Sequence, residues 1–272
     1  MNKTSLWRKP DSISIVFVVL SALILLFIIA PPLKTIFSSS PGTLWNTLLE
    51  EDVYSSILLT ICAAMGATLL GLLLGVPLAY FLARHEFWGK RFLEGVIDIP
   101  IVIPHSAAGV ALLFVFGQHF FVGKIFGSVG IFFFGTFAGV VIAMMFVSVP
   151  FLIDSAKEGF KAVDVRLEKV ARTLGASPWK SFFKVSLPLA GRSIFSGSVM
   201  MWARGVSEFG AILILAYHVP FLGHNPVVAP ILVADRFNYG LDYTRPVAAL
   251  VILISLIAFI ALRSIAYRGE KA

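Results

Sequence analysis

Ile13 to Leu33 is an unbroken apolar run without one charged side chain, and Val53 to Ala83 is a second. About 20 such residues cross a bilayer as a helix, and runs of this kind are too apolar to sit on the surface of a soluble domain. Four more stretches repeat the pattern: Pro104 to Phe121, Thr136 to Ile153, Leu189 to Ala216 and Pro246 to Ala266. Hydrocarbon offers no water to backbone N–H and C=O groups, so each stretch has to bond itself as a helix. Composition agrees, with 58% hydrophobic and 14% charged residues, against about 25% charged in a typical soluble domain. The expected fold is an all-α integral membrane protein of six transmembrane helices. Pro31-Pro32 is expected to close the first, and the length of the second permits tilt. The first run follows Lys3, Arg8 and Lys9, but it is long for a signal peptide and no small-x-small cleavage pattern follows, so it reads as a retained helix. The lone cysteine, Cys62, stands in the apolar run Ile61-Cys62-Ala63-Ala64; it excludes a disulfide scaffold and reads as packing.

The net charge of +7 invites a nucleic-acid reading until the charges are placed. The amino-terminal segment holds three Lys or Arg, the loop between spans 2 and 3 holds three (Arg84, Lys90, Arg91), and the carboxyl-terminal segment holds three (Arg263, Arg268, Lys271). The loop between spans 4 and 5, counted through Arg192, holds eight. The opposite side has only Lys34, Lys124, Arg236 and Arg245, and Arg204 falls within a span. By the positive-inside rule both termini and the 154–187 loop are cytoplasmic and the chain is a multi-pass protein of the cell membrane. The basic balance is topological, and lipid rather than nucleic acid is its partner. Three parts are expected: residues 1–52 as a cytoplasmic segment, flanking helix and outer loop; 53–268 as the core; 269–272 as a tail. The sequence carries no internal repeat, low-complexity tract or soluble domain. Outer loops are expected over Ile36–Asp52, Val122–Gly135 and Tyr217–Arg245, the last an irregular cap with Pro220, Pro226 and Pro230.

Helices joined only to reverse the chain use about 2–8 residues; the stretch from Asp154 to Leu187 has 34. Asp164 is placed to cap a helix whose apolar positions Leu167, Val170, Ala171 and Leu174 share one face, while Arg166, Lys169 and Arg172 point elsewhere. Gly175 stands where a left-handed stop belongs. Ser177-Pro178 starts a second short helix, Ser as cap and Pro in the first turn, with Trp179, Phe182 and Phe183 on it. Two readings fit: a rigid knob projecting into the cytoplasm, or an amphipathic hairpin lying on anionic headgroups.

The order of residues separates them. Val170-Ala171-Arg172-Thr173-Leu174-Gly175-Ala176-Ser177-Pro178, followed by Val185-Ser186-Leu187-Pro188, closely resembles the "EAA" signature of ABC-importer permeases. Lys169 stands where the family usually has Glu, Val170 replaces the first Ala, Val185 replaces Ile, and Glu168 is one place early. The resemblance implies a type I ABC importer permease fold, with spans 2 to 6 as the transport core and span 1 flanking it. It implies that Leu167, Glu168, Val170, Ala171, Arg172, Leu174, Gly175, Ala176, Ser177 and Pro178 form a joint that docks in a cytoplasmic ATPase. No G-x-x-x-x-G-K-[ST] phosphate loop occurs, so no cofactor is expected in this chain: ATP and magnesium belong to another subunit, and the chain is not itself an enzyme. The partners implied are a second permease copy, two ATPase subunits and an extracytoplasmic oxyanion-binding protein.

Two further stretches narrow the family. Trp202-Ala203-Arg204-Gly205-Val206-Ser207-Glu208-Phe209-Gly210-Ala211 is similar to the R-x-x-G-E-F-G-A stretch of oxyanion permeases, with Ser207 at the usual Gly. Asp98-Ile-Pro-Ile-Val-Ile-Pro104-His105 resembles the D-L-P-x-x-I-P-H of molybdate/tungstate members, as do Phe146-Val-Ser-Val-Pro150 and Ala156-Lys157-Glu158-Gly159-Phe160. The implied cargo is molybdate or tungstate, with sulfate as the rival within the class. Arg204 and Glu208 lie mid-span, where an ionised group costs about 2.5–3.5 kcal/mol on insertion scales; at i and i+4 they are expected to share a helix face and neutralise each other. Structurally the pair would fix packing, with Asp98 in reach; functionally Arg204 would ease a dianion through a low-dielectric constriction while Glu208 keeps it from trapping the ion. Pro100 and Pro104 each remove a backbone donor, leaving His105 either to close freed carbonyls or to line the pathway near a gate. The five histidines have no metal-ligand spacing. Gly71 and Gly75, with Gly66 and Ala67, suit close helix approach, and the Phe-rich stretch Ile131-Phe132-Phe133-Phe134 reads as interfacial or lipid-facing. A membrane enzyme acting on lipid phosphates would need acidic residues grouped with histidines, which Asp98, Asp154, Glu158 and Glu208 are not.

Overall fold

A computed structural model describes residues 12–268; the expected tail 269–272 and the basic segment before Ser12, with Lys3, Arg8 and Lys9, fall outside them. The described chain is helical, with a single isolated bridge between Phe221 and His224. α1 (Ser12–Ile36) runs on through Pro31 and Pro32 instead of ending at them. Apolar surroundings offer no other partner for the remaining N–H groups, and the Thr35 hydroxyl donates to the Pro31 carbonyl at 3.0 Å. α2 (Pro41–Leu48) turns part of the first outer loop into a helix, Ser40 accepting the Thr43 N–H. α3 (Glu51–Arg84) is the second predicted span, starting slightly earlier and ending slightly later than drawn. α4 (Lys90–Val102) and α5 (His105–Phe116) are bent by 114° to one another around Ile103-Pro104, so the third predicted span is not a single helix and its apolar stretch begins before Pro104. α6 (Phe121–Ser128) fills much of the second outer loop.

α7 (Phe137–Ala162), capped by Thr136, continues well past the expected end at Ile153. α8 (Val165–Thr173) and α9 (Pro178–Ser181) follow, and a π turn, Phe182–Ser186, leads without a break into α10 (Leu187–Val206). The fifth predicted span, Leu189 to Ala216, is therefore not one helix. It stops at Val206, crosses Ser207-Glu208-Phe209, and resumes as α11 (Gly210–Leu215). α12 (Ala229–Phe237) gives the expected irregular cap a helix, and α13 (Leu241–Arg268) is the last. Among the described residues four helices are long and apolar enough to cross a membrane, five if the bent pair counts as one span.

The packing centre is α7, flanked by α3 and α10. Small residues set the approach, as Gly71 and Gly75 led one to expect: a Cβ on Gly71 would lie 2.5 Å from Met201 Cε, and one on Gly75 3.2 Å from Ile153 Cγ1. Gly197 is equally tight, at 2.7 Å from Ser155 Cβ. Two apolar clusters result, one around Leu59, Met144 and Ile231, the other around Leu82, Phe160 and Met201, nearer α8 and α9. Phe133 is buried against Phe116 and Phe126, whereas Phe132 and Phe134 stay exposed, so only part of the Phe-rich stretch faces outward. α1 packs beside α13 and buries none of its apolar window within the chain. At the end away from α8, Arg236 donates to Glu50 (2.6 Å) and Asp52 (2.7 Å), Tyr217 donates to Asp235 (2.8 Å), and His224 lies 2.6 Å from Glu51. These contacts tie the α12 cap to the start of α3.

Candidate functional site

The 154–187 stretch forms the expected knob, and its construction is local. Asp164 Oδ1 accepts the Arg166 N–H at 2.9 Å and starts α8. Gly175 adopts φ +86°, its N–H bonding Arg172 O and the Ala176 N–H bonding Ala171 O, each at 3.0 Å. That is a Schellman stop, and only glycine takes this φ without steric cost. Ser177 Oγ accepts the Lys180 N–H at 3.2 Å, with Pro178 in the first turn of α9. Among the described residues the apolar face is left largely uncovered: Leu167, Val170 and Leu174 are exposed, Leu174 at 83%, Ala171 is half-buried, and no α8 residue is fully buried.

Glu168 is the exception to that outward pattern. Its Oε1 lies 2.7 Å from Arg84 Nη2 and accepts from Ser186 Oγ at 2.8 Å, while Oε2 accepts from the Tyr80 hydroxyl at 3.0 Å. Arg84 also donates to Val163 O at 3.1 Å. The two side chains are only 7% (Arg84) and 12% (Glu168) exposed. Burial pushes the Glu168 carboxyl up, but the hydrogen bonds from Ser186, Arg84 and Tyr80, with the Arg84 charge, outweigh it and hold the carboxyl below the ordinary 4.5. It is a mostly buried carboxylate that latches α8 to the end of α3 and to the π turn before α10. Sequence reasoning missed Arg84, Tyr80 and Ser186. The available signal was Arg84 itself, the one charge on the last turn of a long apolar helix.

The second site lies where the α4–α5 corner and the α10–α11 break press together. A Cβ on Gly210 would sit 2.8 Å from His105 Cβ, and one on Gly109 2.8 Å from Ala211 O. Arg204 Nη2 donates to Glu208 Oε2 at 3.0 Å, as expected of the pair. The reason differs: α10 ends at Val206, so the contact arises from the break and not from a shared helix face. Glu208 is 1% exposed, and its Oε1 accepts the Ala211 N–H at 2.9 Å, which caps α11. The third member is His105, with Nε2 at 2.7 Å and Nδ1 at 3.1 Å from Arg204 Nη2, and Nδ1 also 3.3 Å from Glu208 Oε2. His105 thus closes on side-chain charges rather than on carbonyls freed by proline; Pro104 forms the corner just before it. Asp98 does not join them. It faces Asp154, beside Lys157 and Glu94, because α4 packs along the other end of α7.

Residues 71–269 match the family described as binding-protein-dependent transport system inner membrane component. The molybdate/tungstate transport system permease protein WtpB of Pyrococcus furiosus is 44% identical over 268 residues, 97% of this chain and 99% of that one. Its namesake in Methanocaldococcus jannaschii is 40% identical, over 93% and 96%. The probable sulfate transport system permease protein cysT of Chlorokybus atmophyticus is 32% identical, over 87% and 82%. Among solved structures, a bacterial alginate ABC transporter in complex with alginate pentasaccharide-bound periplasmic protein aligns with a TM-score of 0.73 at 15% identity, over 98% of this chain and 99% of that chain. The inward-facing MetNI methionine ABC transporter aligns with a TM-score of 0.60 at 16% identity, over 85% and 99%. At such identities these two speak for the fold alone. With its fold, its capped knob and relatives above 40% identity along nearly its whole length, the chain belongs to the binding-protein-dependent inner membrane components, the permeases of ABC importers, in their molybdate/tungstate group.

Proposed function

We propose that this chain is the membrane-spanning subunit of an ATP-driven importer that carries molybdate or tungstate into the cell by alternating access. Six crossings follow if α1, α3, the bent α4–α5 pair, α7, the broken α10–α11 pair and α13 each count once. Both termini and the knob then lie in the cytoplasm of a cell or inner membrane protein. Two copies of the chain enclose the path, two ATPase subunits each grip one knob, and an extracytoplasmic binding protein delivers the anion. In this reading Leu167, Val170, Ala171, Arg172, Leu174, Gly175, Ala176, Ser177 and Pro178 meet the ATPase. Glu168 faces inward and passes the stroke to α3 and α10. Arg204, Glu208, Pro104 and His105 stand on the path.

The observation that carries the reading is the knob. An amphipathic helix with its apolar face uncovered, rigidly capped at both ends and latched by a buried ion pair to a long apolar helix, is what force transmission from a partner requires. The test is reconstitution with cognate ATPase and binding protein, measuring uptake and ATP hydrolysis with molybdate, tungstate and sulfate. The expected result is stimulation by the first two. Stimulation by sulfate alone would shift the chain to the sulfate reading that its 32% relative represents, and no stimulated hydrolysis with any of them would overturn the proposal.

A further inference from the structure

The charged break has more in it than a neutralised pair. Arginine has no acceptor, so the His105 nitrogen nearest Arg204, Nε2 at 2.7 Å, presents a lone pair. Nδ1 lies 3.1 Å from the same Arg204 Nη2 and 3.3 Å from Glu208 Oε2, so the ring edge borders both charges. Glu208 accepts from two donors, Arg204 and the Ala211 N–H, with the His105 ring beside it. If Arg204 lets go, the buried carboxylate still keeps the Ala211 N–H, with the His105 ring 3.3 Å away, so it is not stranded in a low-dielectric site. Arg204 is the more accessible partner, its side chain 23% exposed against 1% for Glu208. Its Nη1 reaches only the Ser207 hydroxyl, at a loose 3.3 Å, and Ser207 itself is exposed and bonds back to Arg204 O. Irregular backbone at membrane depth persists where protein or a water-filled cavity meets it, and both breaks open on this one cluster.

Resting on the transport reading above, we propose that Arg204, Ser207 and His105 form an exchange station for a tetrahedral oxyanion, with Glu208 as the resident competitor. An arriving dianion takes the guanidinium fork from Glu208 and accepts the Ser207 hydroxyl, which turns from its own helix carbonyl. Glu208 waits on the Ala211 N–H, beside His105, then reclaims Arg204 and so displaces the anion. The station holds the anion weakly because its positive charge always has a second claimant close by.

The test uses the whole permease–ATPase complex in lipid nanodiscs without binding protein, dialysed against radiolabelled tungstate or sulfate. In Glu208→Gln the amide oxygen still accepts the Ala211 N–H, so α11 keeps its cap, but the competing charge is gone. Tungstate retention is expected to tighten by about tenfold over the unaltered complex, the size of one lost charge-assisted competitor. Chloride at equal ionic strength should not displace it, and Arg204→Gln in the same background should abolish it. No gain in Glu208→Gln, or retention that survives Arg204→Gln, overturns the station. Should Glu208→Gln fail to assemble, Arg204→Lys keeps the charge and loses the fork: tungstate moved per ATP hydrolysed should fall several-fold, and an unchanged ratio overturns the station equally. An unaltered complex that moves no oxyanion with its binding protein defeats the transport reading itself; normal uptake there, with null results above, defeats only the station.

Discussion

Breaking the Arg84–Glu168 latch should separate the knob's stability from its grip on the spans. With Glu168→Ala, Arg84 loses its only carboxylate among the described residues and keeps one backbone acceptor, Val163 O, and Tyr80 and Ser186 lose theirs. Removing one partner of a well-buried pair costs about 3–5 kcal/mol; Glu168 lies at the exposed edge of the fold, so the lower end, about 3 kcal/mol, applies. Glu168→Gln keeps one acceptor oxygen, for Ser186, sets an amide NH2 against the Tyr80 hydroxyl and loses the charge, for about 2 kcal/mol. A double-mutant cycle with Arg84→Ala isolates the pair, and its coupling should be about 2 kcal/mol, the double variant being little worse than either single one. The readouts are thermal unfolding of the complex in nanodiscs and the ratio of stimulated to basal ATP hydrolysis. Both should drop. The pH dependence has a definite sign: the folded carboxyl titrates below the ordinary 4.5, so its contribution is present above that value and is lost as pH falls through the depressed one. Additive single effects, or an unchanged hydrolysis ratio in Glu168→Ala, would refute the latch.

Three other outcomes can be checked alongside. Gly175→Ala places a side chain at φ +86° and should cost about 1 kcal/mol, whereas Gly175→Pro, or deletion of Asp164 to Leu174, should abolish solute-stimulated hydrolysis while leaving the chain in the membrane. Gly71→Val drives a Cβ to 2.5 Å from Met201; overpacking of this kind costs about 1–3 kcal/mol, and Met201→Ala in the same chain should recover much of the yield lost in membrane extracts. Arg236→Ala frees the half-exposed Glu50 and Asp52; the stability loss should be about 1 kcal/mol or less, shrinking with added salt, with faster proteolysis in the 217–240 cap as the sensitive readout.

What the sequence made legible was local or periodic. Asp164, Gly175 and Ser177-Pro178 act on neighbours within four residues, and their hydrogen bonds stand where their chemistry puts them. The four unbroken apolar helices needed nothing beyond length and hydropathy. The illegible parts depend on distant partners. Leu213 to Ala216 continues an apolar run, so nothing in the run itself marks the stop at Val206; the stop is set by Glu208, which turns to reach Arg204, His105 and the Ala211 amide at once. Pro104 announces a break, but the 114° bend depends on α5 lying against α11. Glu168 reads as one more charge on an amphipathic helix until Arg84, 84 residues earlier, is folded against it. Asp98 could be brought to Arg204 on paper because both belong to motifs of the same family; in three dimensions α4 carries it to Asp154.

A separate ATPase gripping the knob at Gly175 from the cytoplasm is the joint proposed above. Its most direct test replaces the lone Cys62 with alanine and installs Leu174→Cys, an exposed position, in the assembled complex. The expected outcome is a short bifunctional crosslink from this thiol to the ATPase subunit, altered in yield by nucleotide, and no labelling of it by a membrane-impermeant maleimide in intact cells. Labelling from outside, or a complex that hydrolyses ATP in response to solute with no crosslink at Leu174, would contradict it.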